Sequence, residues 1–170
     1  MSESVAGGAV ELRVPRNRVS PKAKLYWACR AAFSWVFVFG AQVVWLLADD
    51  EGGGTPHAIV ALVSAVLAIA HVIVMPRWRF AVHRWEITPD AVYTRSGWLD
   101  QEWRIAPVSR IQTVDSERGV LERMFGLANL TVTTASSAGP IKIHGLDHET
   151  AQRAAEELTG NAVASEGDAT

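Results

Sequence analysis

Residues 31–48, AAFSWVFVFGAQVVWLLA, carry no charge, and residues 58–75, AIVALVSAVLAIAHVIVM, carry none apart from the titratable His71. At 1.5 Å rise per residue each run makes a helix of ~27 Å, close to the ~30 Å hydrocarbon core of a bilayer. The rival reading, two buried core helices, asks a chain of only 170 residues to devote much of its length to uncharged apolar sequence. Two membrane spans, at about 28–48 and 57–75, are therefore predicted, with Arg30 snorkelling towards the headgroups. A long polar stretch precedes the first run and no A-x-A site follows it, which makes it an anchor rather than a cleaved signal peptide.

Charge sets the expected orientation. Residues 1–30 hold six Lys or Arg against two Glu, whereas the loop DDEGGGTPH holds three acids and no Lys or Arg. Arg77, Arg79 and Arg84 follow the second run. The positive-inside rule then places the loop outside and both termini in the cytoplasm, as a multi-pass protein of the cell membrane. Tyr26, Trp27 and Trp78 are assigned to the cytoplasmic interface and Trp45 to the far one. In the loop, Thr55 reads as an N-cap and Pro56 as the first helical residue. Gln42, Ser34 and Ser64 are the polar residues within the runs. Gln42 is expected to join the helices by a hydrogen bond, and no ionisable group near the midplane supports a transport pathway. Cys29 is the one cysteine, so no intrachain disulfide or cysteine metal site can form, and it reads as a packing residue. The net charge of −2, without a strongly basic segment, argues against a nucleic-acid partner.

Beyond Pro76 the texture changes to short alternating segments separated by turns. Strands are predicted over 79–88, with an irregularity near His83, and over 91–96, 103–105, 109–116, 130–134 and 141–143. Residues 120–125 read as a one-turn amphipathic helix against the barrel, stopped by Gly126. Asp147 reads as the N-cap of a helix to about Leu158, ended by Gly160, with Leu146 and Ala151 as a hydrophobic staple. Ala151, Ala154, Ala155 and Leu158 form its apolar face.

The run RFAVHRWEITPDAVYTRSGW, then APVSRIQTVD, then GVLERMFGLANLTVTTA resembles the bacterial pleckstrin-homology-like domain of the second type (bPH2, formerly DUF304), found on small membrane proteins of the YdbS kind. The most specific pieces are Pro107, Arg110, Ile111, Gln112 and Val114, followed by Arg123, Phe125, Gly126, Leu127, Leu130, Val132, Thr134 and Ala135. The resemblance spans about Trp78 to Leu158 and implies a PH-like barrel closed by a C-terminal helix. It implies little biochemistry; relatives have been linked to envelope functions, including tolerance of membrane-active peptides. The chain carries one copy of the domain, where some relatives carry several.

The expected fold class is thus α+β: a transmembrane helical hairpin followed by a cytoplasmic PH-like β-barrel capped by a C-terminal helix. The expected division is a cytoplasmic tail over 1–23, the hairpin over 24–76, the PH-like domain over 77–160 and a disordered tail over 161–170. Arg110 and Gln112 stand as candidate partner-binding residues. Against that, Arg110 could simply pair with Asp115 or Glu117, and Gln112 satisfy backbone at a strand end. The turn 96–102 holds two acids and no base, which speaks against phosphoinositide-type capture there; its Trp98 and Leu99 are further candidates for contact with a protein or the membrane. Arg77, Arg79 and Arg84, with Arg95 and Arg104 further along, are candidates for anionic headgroups, although topology alone explains the position of the first three. His144 and His148 lie four apart, but Gly145 and a helix start between them break the geometry a metal pair needs. No metal, no cofactor and no enzymatic constellation is expected.

Two classes of function follow. One is a membrane-anchored interaction or scaffold module that docks another membrane protein, or further copies of the chain, by confining partners to two dimensions. The other is an anionic-lipid or membrane-stress recognition module that contributes to envelope integrity or tolerance of membrane-active peptides. The acidic turn and the net −3 of the chain beyond Pro76 favour the first.

Overall fold

The computed structural model describes residues 14–49 and 54–167. Two long helices, α1 (Lys22–Ala48) and α2 (Gly54–Val82), pack against each other as a hairpin. Only 6% of the most apolar stretch of α1 and 17% of that of α2 is buried, so their apolar faces point outward. Outward-facing apolar helices of this length are the surface of a membrane protein. The Gln42 amide donates to Ser64 Oγ across the hairpin at 2.6 Å. At the hairpin's closed end, His57 meets the Asp49 carboxylate at 2.9 Å and lies 4.1 Å from the Trp45 ring. The second helix opens at Gly54, so Thr55 and Pro56 lie inside its first turn rather than marking its cap.

Among the described residues, seven strands follow the expected barrel. The strands β1 (Asn17–Arg18), β2 (Arg84–Ile87), β3 (Ala91–Gly97) and β4 (Gln101–Pro107) form one antiparallel sheet in that order. A 3-10 turn (Val108–Arg110) leads into the second sheet, β5 (Ile111–Glu117), β6 (Leu127–Thr134) and β7 (Ile141–Asp147), with α3 (Val120–Met124) between β5 and β6. The final helix α4 (His148–Gly167) lies against β5, β6 and the 3-10 turn. Val92, Leu127, Leu130, Val132, Leu146 and Leu158 are wholly enclosed between sheets and helix. Leu130 and Val132 point inward while Thr131 and Thr133 lie part-exposed, the period of two expected of a strand with one face in the core.

Other details also depart from the sequence reading. The predicted strand over 79–88 is helix as far as Val82, because α2 continues without a break through Pro76. A proline removes one N–H from the ladder, and a helix already held along its length absorbs that loss. Upstream of α1, Asn17 and Arg18 pair with Trp85 and Arg84, while Val19 and Ser20 are buried. This part of the expected N-terminal tail is therefore an edge of the barrel. Tyr26 and Trp27, assigned to the interfacial belt, sit in the barrel core with Ala23. At the other end, α4 passes Gly160 and runs to Gly167; the remainder of the expected tail lies outside the described residues.

Candidate functional site

The barrel is seated directly on the hairpin. The Ser20 amide donates to the Gly145 carbonyl at 2.8 Å, and Lys22 pairs with Asp147 at 3.2 Å. Gly145 has φ +77°, and a Cβ there would come within 2.9 Å of the Ala23 Cβ, so the absence of a side chain lets β7 approach α1. Trp27 is clamped between the His83 ring, 5.2 Å away, and the Arg79 guanidinium, 4.6 Å from its ring. His83 is buried, and its Nδ1 donates to the Arg79 carbonyl at 2.9 Å. Burial, reinforced by the Arg79 charge, pushes its pKa down to about 4, against the pull of that carbonyl. His144 is likewise lowered, first by burial and then by Arg79. It sits on β7 while His148 opens α4, and the described residues contain no cluster of three possible metal ligands.

The four candidate partner-binding residues do not form one site. Trp98 and Leu99 form the tip of the β3–β4 hairpin, where Gly97 adopts φ +108° to make the turn. That tip folds back along α2: the Trp98 ring stacks on His71, with centroids 6.2 Å apart, and His71 accepts a hydrogen bond from Trp35 at 3.1 Å. Leu99 stays exposed. A second apolar segment sits at the base of the barrel, where α3 exposes Val120, Leu121 and Met124 instead of tucking them inward. Glu122 of the same helix accepts from the Tyr26 hydroxyl at 2.7 Å. Burial opposes its ionisation, but Tyr26, its own backbone, Asn129 and Arg30 outweigh that and hold its pKa below the usual carboxylate value.

Arg110 lies on the other side, in a groove of about 360 Å³ between β4 and the β6–β7 connection. β4 is the outer strand of its sheet. The groove's wall is fixed by Arg104, which donates to the carbonyls of Ala138, Gly139 and Pro140 and pairs with Glu102 at 2.8 Å. Arg110 itself is exposed and, among the described residues, pairs with neither Asp115 nor Glu117. Its backbone carbonyl accepts from Ala135, so the backbone is structural while the guanidinium is free. Trp103 and Ser136 line the same groove. Gln112 stands exposed at a register shift between Ile111 and Thr113 and does not line it. Trp103 reads as a strand residue and Arg104 as part of the basic set considered for headgroups, and nothing local in the sequence places either beside residues 134–141.

The basic residues near the second span also separate. Arg77 is exposed, Arg79 is half-buried against Trp27, and Arg84 lies in β2 opposite Arg95. Arg77 and Arg95 line a groove beside α2 with Ile73, Val74, Trp78, Ala81 and Val82. Cys29, read as a packing residue, is exposed.

Comparison with known proteins agrees with this architecture. The family model of the bacterial PH domain matches residues 32–162. A curated relative, the UPF0699 transmembrane protein YdbS of Bacillus subtilis strain 168, is 26% identical over 146 residues, 82% of this chain and 87% of the relative. No solved structure matches the chain.

Proposed function

The chain belongs to the bacterial PH domain family, and from that membership we propose that it is a membrane-fixed docking module, binding a protein partner without catalysing a reaction. In the orientation favoured by its flanking charges, the barrel stands at the inner face of the cytoplasmic membrane. The supporting observation is the free guanidinium of Arg110 in a groove that opens beside the outer strand β4. An outer strand offers unpaired backbone groups to an incoming extended segment, and an unpaired guanidinium selects a carboxylate on it. The partner envisaged is therefore a protein with an acidic extended segment, anchored in or recruited to the same membrane.

A photo-cross-linking residue in place of Trp103, in the full-length protein in its native membrane, tests this. The expected result is one reproducible adduct with another protein, lost in Arg110→Ala while the thermal midpoint is unchanged. Adducts only between copies of the chain would make it a self-assembled scaffold. Absence of any protein adduct would overturn the docking reading, and a collapse of stability in Arg110→Ala would give that residue a structural role.

A further inference from the structure

We propose that the groove between α2 and β3 holds one anionic phospholipid, with Arg77 and Arg95 taking its phosphate. The groove encloses about 590 Å³ and is distinct from the one at Arg110. Ile73, Val74, Trp78, Ala81 and Val82 make its walls, all from the domain-side end of the second membrane helix. Ile73, Val74 and Trp78 are about half exposed, and on a membrane helix that surface meets lipid.

The charged part of the groove is one-signed. Its lining includes two guanidiniums and no carboxylate. Arg77 is held along the helix by a bond from Nη1 to the Ile73 carbonyl at 2.8 Å, which leaves most of its donors available. Arg95 donates to Gln101 at 2.6 Å and lies 4.7 Å over the Trp103 ring, and its Nε is buried without a partner. Arg84 faces Arg95 across the β2–β3 pair, adding a third positive group at this end of the two strands. Two guanidiniums converging on one apolar groove repel each other, and an anion between them removes that penalty and supplies acceptors for the open donors. A phospholipid alone brings both the anion and the chain that an apolar wall at the membrane surface requires. Neutral phosphatidylcholine brings the same phosphate but cancels it with its own ammonium, so the site selects for net negative headgroups.

This inference stands independently of docking at Arg110. The full-length protein is reconstituted in nanodiscs of equimolar phosphatidylglycerol and phosphatidylcholine, then released into detergent and weighed by native mass spectrometry. One phosphatidylglycerol retained in preference to phosphatidylcholine is expected. Arg77→Gln and Arg95→Gln should each lower that preference about fivefold, Arg95→Lys should keep most of it, and Arg110→Gln should leave it unchanged. Equal retention of the two lipids, or a preference that survives both glutamine variants, overturns the proposal. Should Arg95→Gln lower the thermal midpoint, Arg77→Gln, whose side chain is exposed, carries the comparison.

Discussion

The Tyr26 hydroxyl, in the first membrane helix, donates to Glu122 at 2.7 Å, across 96 positions of sequence. The bond joins the start of the hairpin to the short helix at the base of the barrel, and the Tyr26 ring meets the Phe125 ring edge-on at 6.0 Å. Arg30 and Asn129 also donate into this pair, at 3.4 Å each. A charged acceptor with several donors is the kind of contact that resists replacement by water.

Tyr26→Phe removes the main donor and leaves the carboxylate half-satisfied. The expected cost is about 1.5 kcal/mol at neutral pH, read as a lower thermal midpoint in detergent. Because the folded state holds the Glu122 pKa below its ordinary value, the stabilisation is complete above the usual carboxylate range and fades as pH falls through the folded value. The difference between wild type and Tyr26→Phe should therefore shrink in acid. A difference independent of pH would show that the lost contribution is ring packing.

His83 gives a second acid-sensitive point at a different pH. Its folded pKa of about 4 lies below the ordinary imidazole value of 6.5, so the unfolded chain binds the extra proton first as pH falls. Stability should be full above about 6.5 and decline towards 4, by on the order of 3 kcal/mol. His83→Gln should flatten the profile across that window, in melts recorded between pH 7 and pH 4. An unchanged profile would assign the loss to other groups.

Gly145 and Gly139 both have positive φ, but only Gly145 faces a neighbour, Ala23 at 2.9 Å and Trp27 at 3.4 Å from a hypothetical Cβ. Gly139→Ala should cost about 1 kcal/mol of backbone strain. Gly145→Ala adds a steric clash at the seat of the barrel and should cost at least about 2 kcal/mol in total. Equal midpoints for the two variants would mean that α1 and β7 separate easily.

The β3–β4 tip should lie at membrane depth, since Trp98 stacks on His71 of α2. A nitroxide at Leu99, in a Cys29→Ser background, should collide with oxygen and be shielded from an aqueous nickel complex. A nitroxide at Glu157, which lies beside Asn17 and Arg18 beyond the domain end of α1, should behave oppositely. Equal aqueous access at both positions would detach the tip from the bilayer.

The hairpin and most strands were legible because they depend on local patterns: uncharged length for the helices, alternation for the strands. What escaped depended on partners remote in sequence. Asn17–Arg18 is too short to show a period and exists only because β2 offers it an edge. The segment around Phe80 and Val82 alternates like a strand, yet continuity with the span above it holds it in α2. Tyr26 and Trp27 look like headgroup anchors from their place beside an apolar run, and only the closure of β7 over them makes them core. The same holds for the grooves. Arg110 was visible as a candidate, and Arg77 and Arg95 as basic residues, but Trp103 beside Arg110 and the one groove shared by Arg77 and Arg95 required the third dimension.

The unbroken passage of α2 through Pro76 into the barrel has a mechanical consequence. A domain on a flexible leash samples many headings, and each encounter must wait for the right one. Here the second span enters the first sheet after a single residue, His83, and the first span starts inside the core. Heading and height above the lipid are thus set by the tilt of the two helices. Under the docking proposed above, a neighbour in the same membrane would meet the Arg110 groove with rotational freedom already spent, and association would forfeit less entropy. A bilayer that changes thickness, and with it helix tilt, would swing the groove as a rigid arm.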